Sequence, residues 1–262
     1  MSAIILQEEI VHYEVLGRGR PIIFLHGWVG SWRYWIPSMQ AASMSYRTYA
    51  LDMWGFGDTA KNTSRYLLSQ QLRLLKSFID EMGIGRVAIV GHGLGAIVAL
   101  MFAQENPTYV DRVIAVGVPL KMDQINPRML QSTPQELADW LLGSTPDSEA
   151  ARKEAPKADQ NAIYHSLQHL ASAGIAELPQ QLSLPCLFVH GQNDPAIAMT
   201  DTAILATFPT SFHFIALENT GHFPMLDMPS KFNRLMTDFM ALPSGESPRN
   251  LELKDEWKRR IR

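Results

Sequence analysis

From residue 21 to about residue 240, short apolar runs alternate with stretches whose apolar residues recur at helical spacing. A short run that is apolar throughout fits a strand buried on both faces, and a stripe every three or four positions fits a helix packed on one side. Their alternation predicts an α/β fold, a mostly parallel, doubly wound sheet with helices on both faces. The expected core strands are Pro21–His26, Tyr46–Asp52, Val87–Gly91, Val113–Leu120, Cys186–Gly191 and Ser211–Leu217, with "IILQEEIVHYEVLG" forming an antiparallel hairpin ahead of them. Among the helices, "SQQLRLLKSFIDEMG" places Leu72, Leu75, Phe78, Ile79 and Met82 on one stripe. "GAIVALMFAQENP" is apolar on nearly every face, as a helix pressed onto a sheet should be.

The alternation breaks between residues 121 and 182. This stretch has "TPQELADWLLG", with Thr133 as cap and Pro134 in the first turn, then a polar linker "STPDSEAARKEAPKADQ" and a helical "NAIYHSLQHLASAG". A helical insertion where the strands end is expected to form a lid over a pocket; a surface excursion without function is the alternative. The chain thus divides into a core of residues 1–120 and 183–241, a lid of 121–182 and a tail of 242–262.

Composition narrows the function. Hydrophobic residues make up 46% and charged residues 19% of the 262, the proportions of an ordinary globule. A net charge of -3 offers no basic face for nucleic acid, and the closing "KDEWKRRIR" is expected to be a solvated or docked helix. No apolar run approaches the roughly 20 residues of a membrane span, and the first residues lack the basic start and apolar stretch of a secretory signal. A cytoplasmic protein that leaves membranes alone is the expectation. The single Cys186, inside "LPCLFVHG", excludes an internal disulfide and is expected to be a small buried residue. Scattered histidines without HExxH give no metal site, and "GRGRP" and "GFGD" lack the order of a dinucleotide loop, so no cofactor is expected. The remaining partner is a small-molecule substrate or ligand. Oligomeric state is not fixed by the sequence.

In an open parallel sheet, ligands bind beyond the carboxyl ends of the strands. Motifs stand at those ends in a telling order: "LHGWVGSW", "DMWGFGD", "GHGLG", "HGQNDPAI" and "NTGHFPML". Together they resemble the α/β-hydrolase superfamily with a short helical cap, over roughly residues 10 to 241. The resemblance implies an oxyanion hole from the main-chain N–H groups of Trp28 and Leu94, and a nucleophile, acid and histidine at Gly93, Asp194 and His222. Position 93 departs from that pattern, because the elbow that should carry a hydroxyl carries glycine. An acyl-enzyme cannot form there, nor can dehalogenation that needs a carboxylate.

Other residues near these motifs have structural readings. His92 should point away from the pocket and be hydrogen-bonded, Ser31 is expected to cap the helix that follows, and His26 and Gly27 shape their loop. Trp28, Trp140 and Met122 are candidates to touch substrate; Met129 and Tyr164 are lid residues of the same apolar kind. Three functions stay open: an enzyme in which Asp194 and His222 activate water, a ligand-binding protein without catalysis, and a serine hydrolase whose elbow serine was deliberately changed to glycine.

Overall fold

The computed structural model describes residues 2–251; the basic segment of the tail lies outside the described residues. Eight strands form one sheet: β1 (Ser2–Leu6), β2 (Glu9–Gly17), β3 (Arg20–Leu25), β4 (Tyr46–Leu51), β5 (Val87–His92), β6 (Val110–Val116), β7 (Cys186–Gly191) and β8 (Phe212–Leu217), in spatial order β1-β2-β4-β3-β5-β6-β7-β8. The expected hairpin is present, with Leu6 opposite Glu9, and β2 runs antiparallel to β4. From β4 onward every pair is parallel. Strands β5 and β7 are buried along their whole length, which is why they read as unbroken apolar runs. Cys186 opens β7 and is fully buried.

Three helices support the sheet's first half: α1 (Ile36–Ala42), α2 (Leu68–Glu81) and α3 (Leu94–Glu105). Helix α2 buries Leu72, Leu75, Phe78 and Ile79 of the expected stripe, while Met82 stands just past the end of the helix and is only partly buried. After β6 come α4 (Arg128–Gln131), α5 (Pro134–Leu141), α6 (Pro146–Glu154), α7 (Gln160–His169) and α8 (Leu178–Gln181), with no named strand among them. Short α9 (Thr202–Leu205) and α10 (Pro224–Asp227) and the longer α11 (Pro229–Ala241) complete the order.

Two expectations need correction. The strand expected at Val113–Leu120 lies at Val110–Val116. It stops early because Gly117 turns into positive φ at +56°. Its start was hidden by Arg112, a cation buried within a strand, whose guanidinium is satisfied by Asp111 and by the carbonyls of Phe239 and Pro243. The stretch read as a polar linker contains α6. Thr145 caps its Ser148 N–H, Pro146 occupies the first turn, Asp147 and Glu149 lie near the amino end, and Arg152 and Lys153 lie near the carboxyl end. These charges suit the helix dipole, and a helix of this composition announces itself by its ends and not by an apolar stripe.

Candidate active site

The turn from β5 into α3 places Gly93 at φ 50°, ψ -111°. Its N–H donates to the Val116 carbonyl at 2.9 Å, and its own carbonyl accepts from Ala96 at 3.1 Å and Ile97 at 3.2 Å. The flanking glycines permit this sharp turn: a Cβ on Gly91 would lie 2.3 Å from the Gly95 carbonyl oxygen, and one on Gly95 would lie 2.4 Å from that of Leu25. The turn therefore presses β5, α3 and the loop after β3 together. Leu94 begins the helix and is buried, as is Trp28 in the β3 loop. No hydrogen bond from the main-chain N–H of either residue is found among the described residues.

The space beside Gly93 belongs to Trp28. A Cβ at position 93 would stand 3.0 Å from Cε3 and Cζ3 of its indole ring. The indole is tethered from the helical segment, since Nε1 donates to Ser166 Oγ at 3.0 Å and Ser166 in turn donates to the α7 backbone, 2.7 Å from the Ala162 carbonyl. Sequence reading missed Ser166, which stands 138 positions from Trp28 on a helix whose pattern shows only packing.

Asp194 and His222 meet in the loops that follow β7 and β8. Asp194 Oδ2 lies 2.9 Å from His222 Nδ1, with each side chain 1% exposed. The second carboxylate oxygen accepts the N–H groups of Ala196 at 2.8 Å and Ile197 at 3.1 Å. Burial alone would raise the Asp194 pKa, but the neighbouring His222, its hydrogen bond, His190 and the Ala196 N–H outweigh burial and hold it at about 2. A carboxylate at Nδ1 assigns the ring proton to that nitrogen and turns the lone pair of Nε2 the other way. That Nε2 is buried without a hydrogen-bond partner. The loop carrying it is pinned by Asp227, which accepts the Gly221 N–H at 2.7 Å and which sequence reading also missed.

The expected structural residues take their places. Ser31 Oγ accepts the Arg33 N–H at 3.3 Å and caps the 3-10 turn Trp32–Trp35. His26 Nδ1 lies 2.8 Å from the Gly27 carbonyl, and His92 is fully buried and hydrogen-bonded. Met122 lines a cavity of about 460 Å³ with Leu120, Lys121, Leu170 and Ile175; its lining includes none of Gly93, Trp28, Asp194 or His222. Trp140 is half-buried beneath the Arg128 guanidinium, 4.6 Å from its carbon. Among the described residues, donor atoms of His12, Asp52 and Asp58 lie within 4.8 Å of one another. Asp52 is already engaged, accepting the Trp32 N–H at 2.8 Å, the Asp58 N–H at 3.1 Å and the His12 ring at 2.9 Å, and Lys157 pairs with Asp58. That group joins β2 to the loop after β4, with His12 and Asp52 buried and Asp58 exposed.

The sheet order, the glycine turn into α3 and the acid and histidine loops after β7 and β8 define the α/β-hydrolase fold. The Alpha/beta hydrolase family model matches residues 22–235, and the chain belongs to that family as a hydrolase of the superfamily. It is 25% identical over 246 residues to a protein of Enterobacter cloacae named as a carbamate hydrolase, covering 85% of this chain and 92% of that one. It is also 25% identical over 255 residues to a 2-hydroxy-6-oxo-6-(2'-aminophenyl)hexa-2,4-dienoic acid hydrolase of Metapseudomonas resinovorans, covering 87% of each. Among solved structures, a hydrolase of Pseudomonas aeruginosa superposes with a TM-score of 0.81 at 16% identity, over 92% of this chain and 98% of that one. Among the described residues, no helix is long and apolar enough to cross a membrane.

Proposed function

We propose that this hydrolase acts on a small carbonyl substrate with water as the nucleophile, activated by His222 and Asp194, and with no covalent intermediate at Gly93. The observation that carries this reading is the buried, unpartnered Nε2 of His222, whose Nδ1 is held by a carboxylate 2.9 Å away. Water gives a proton to Nε2 as its oxygen attacks the carbonyl carbon, and the negative charge moves to the carbonyl oxygen. The N–H groups of Trp28 and Leu94 receive that charge, because main-chain donors need no particular side chain. On collapse the bond to the leaving group breaks, and the proton on His222 passes to it. Asp194 stabilises the intervening imidazolium.

Trp28 limits where the water lies. Its ring narrows the space beside Gly93, and the water is placed at the unpartnered Nε2 of His222. The helical segment of residues 121–182 then acts as the lid that keeps bulk water out, with Ser166 fixing the indole from above. Position 93 retains neither hydroxyl nor carboxylate, so the rate rests on general-base help, on the order of 10² to 10⁴-fold, and on charge stabilisation. Activated carbonyls suit such a site: aryl esters and carbamates, the latter named for one relative, and the vinylogous keto acids named for another.

The test is turnover of p-nitrophenyl acetate and of a p-nitrophenyl carbamate by the purified chain and by His222→Ala. Steady release without a burst, no labelling by serine-directed phosphonates, and a fall on the order of 10² or more in the variant are expected. Equal rates for the two proteins would overturn the reading in favour of a ligand-binding protein.

A further inference from the structure

We infer that Tyr34 and His92 are positioning residues that tie the oxyanion loop to the histidine loop through one buried relay. Its ends fix its direction. The Gly27 N–H donates to the Tyr34 hydroxyl oxygen, Tyr34 Oη lies 3.0 Å from His92 Nδ1, and His92 Nε2 lies 2.9 Å from the His222 carbonyl oxygen. A carbonyl only accepts, so His92 carries its proton on Nε2 and donates it to His222. Nδ1 is then an acceptor, and Tyr34 donates its hydroxyl proton there while receiving the Gly27 N–H on oxygen. Every donor and acceptor along the line is used once, in a single orientation. Chains of this kind polarise one another and are strongest away from water.

Burial supplies that condition. His92 is 0% exposed, and Tyr34 and His222 are each 1% exposed. Burial, and then the neighbouring His222, drive the His92 imidazole well below its usual pKa, consistent with a neutral ring. Packing follows the same line: the His92 and His222 rings are centred 4.6 Å apart, and Phe223 stands edge-on to Tyr34 at 5.3 Å. A Cβ on Gly27 would lie 2.8 Å from His92 Nδ1, so the loop that precedes Trp28 rests directly on this ring. The relay thereby connects the residue before one proposed oxyanion donor, the residue before the vacant apex and the main chain of the proposed base. Neither Tyr34 nor His92 touches the reacting atoms; both act through the loops they hold.

This inference rests on the water-activating reading for its kinetic consequence, but the relay itself has a readout independent of turnover. In protein labelled with ¹⁵N-histidine, His222 should show a slowly exchanging, downfield Nδ1–H resonance and His92 the Nε2–H tautomer. Tyr34→Phe removes one buried oxygen and leaves the Gly27 N–H and His92 Nδ1 unpaired. It is expected to broaden or abolish the His222 resonance and to lower kcat by about 10-fold or more with KM nearly unchanged, as small misplacements of a reacting group do. His92→Phe should behave likewise. His92→Gln, which can still donate to the His222 carbonyl, should recover most of both readouts. If Tyr34→Phe keeps both the resonance and kcat, the relay does not position the site. Absence of turnover in the unaltered chain would sink the hydrolytic reading while the resonances still decide the relay, and should His92→Phe fail to fold, Tyr34→Phe decides alone.

Discussion

A Cβ added at position 93 would meet a backbone at φ 50° and an indole 3.0 Å away. The first costs on the order of 1 to 3 kcal/mol for a residue with a side chain, and the second requires Trp28 to yield against its tether to Ser166. Gly93→Ser should therefore lower stability by about 1 to 3 kcal/mol in urea unfolding. By itself it should give little burst in stopped-flow assays with p-nitrophenyl acetate, whereas pairing it with Trp28→Leu should bring the burst out. A stoichiometric burst from the single variant would show that the indole moves freely. At this scale the meeting of Asp194 with His222 was legible, because each lies in a short loop whose neighbours announce it. The bonds of Ser166 to Trp28, of Tyr34 to His92 and of His92 to His222 were not legible: they join positions 138, 58 and 130 apart, and no local spacing encodes such distances.

Among the elements, α6 is the clearest case of a helix held by its ends and its charges. Its last residue, Glu154, is largely buried against the core, with the Arg33 Nε and the Lys157 Nζ each 3.0 Å from its oxygens and the Ser31 hydroxyl at 3.4 Å. Both cations are about a third exposed, so the contribution is discounted to about 1 kcal/mol. Glu154→Gln should lower the melting midpoint by about 2 to 4 °C in a chain of this size, a shift readable by circular dichroism. A charge-rich stretch of this kind reads as linker in the sequence because its partner lies on a different element. The error at β6 has a similar origin. Arg112 is tolerated in that strand because, besides Asp111, two carbonyls at the end of α11 and just past it accept its protons, and these last partners cannot be seen from strand residues alone.

For the molecule as a whole, Asp194 links the proposed site to acid stability. Its pKa is depressed from 3.8 to about 2, so its contribution is complete above the unfolded value and disappears as pH falls through the folded one. About 2 kcal/mol should be lost between roughly pH 4 and pH 2, measurable as a slope in urea unfolding that Asp194→Asn flattens. Burial would raise Asp111, but Ser244 and Arg112 bring it below its usual range, so a weaker slope of the same sign remains in that variant. The overall architecture was the most legible level of all. Buried parallel strands must be apolar along their length and crossover helices must be apolar on one side, and these two periods survive averaging over many residues.

The solitary thiol in β7 has a practical consequence. Cys186 is enclosed on every side, and burial pushes its pKa well above the ordinary value, so the reactive anion is suppressed while the sheet stays shut. Ellman's reagent should leave the native chain unmodified and react fully once urea unfolds the sheet around β7. The chain thus contains its own unfolding clock, and a second cysteine placed at an outer position of the helical segment would report local opening there against a silent background.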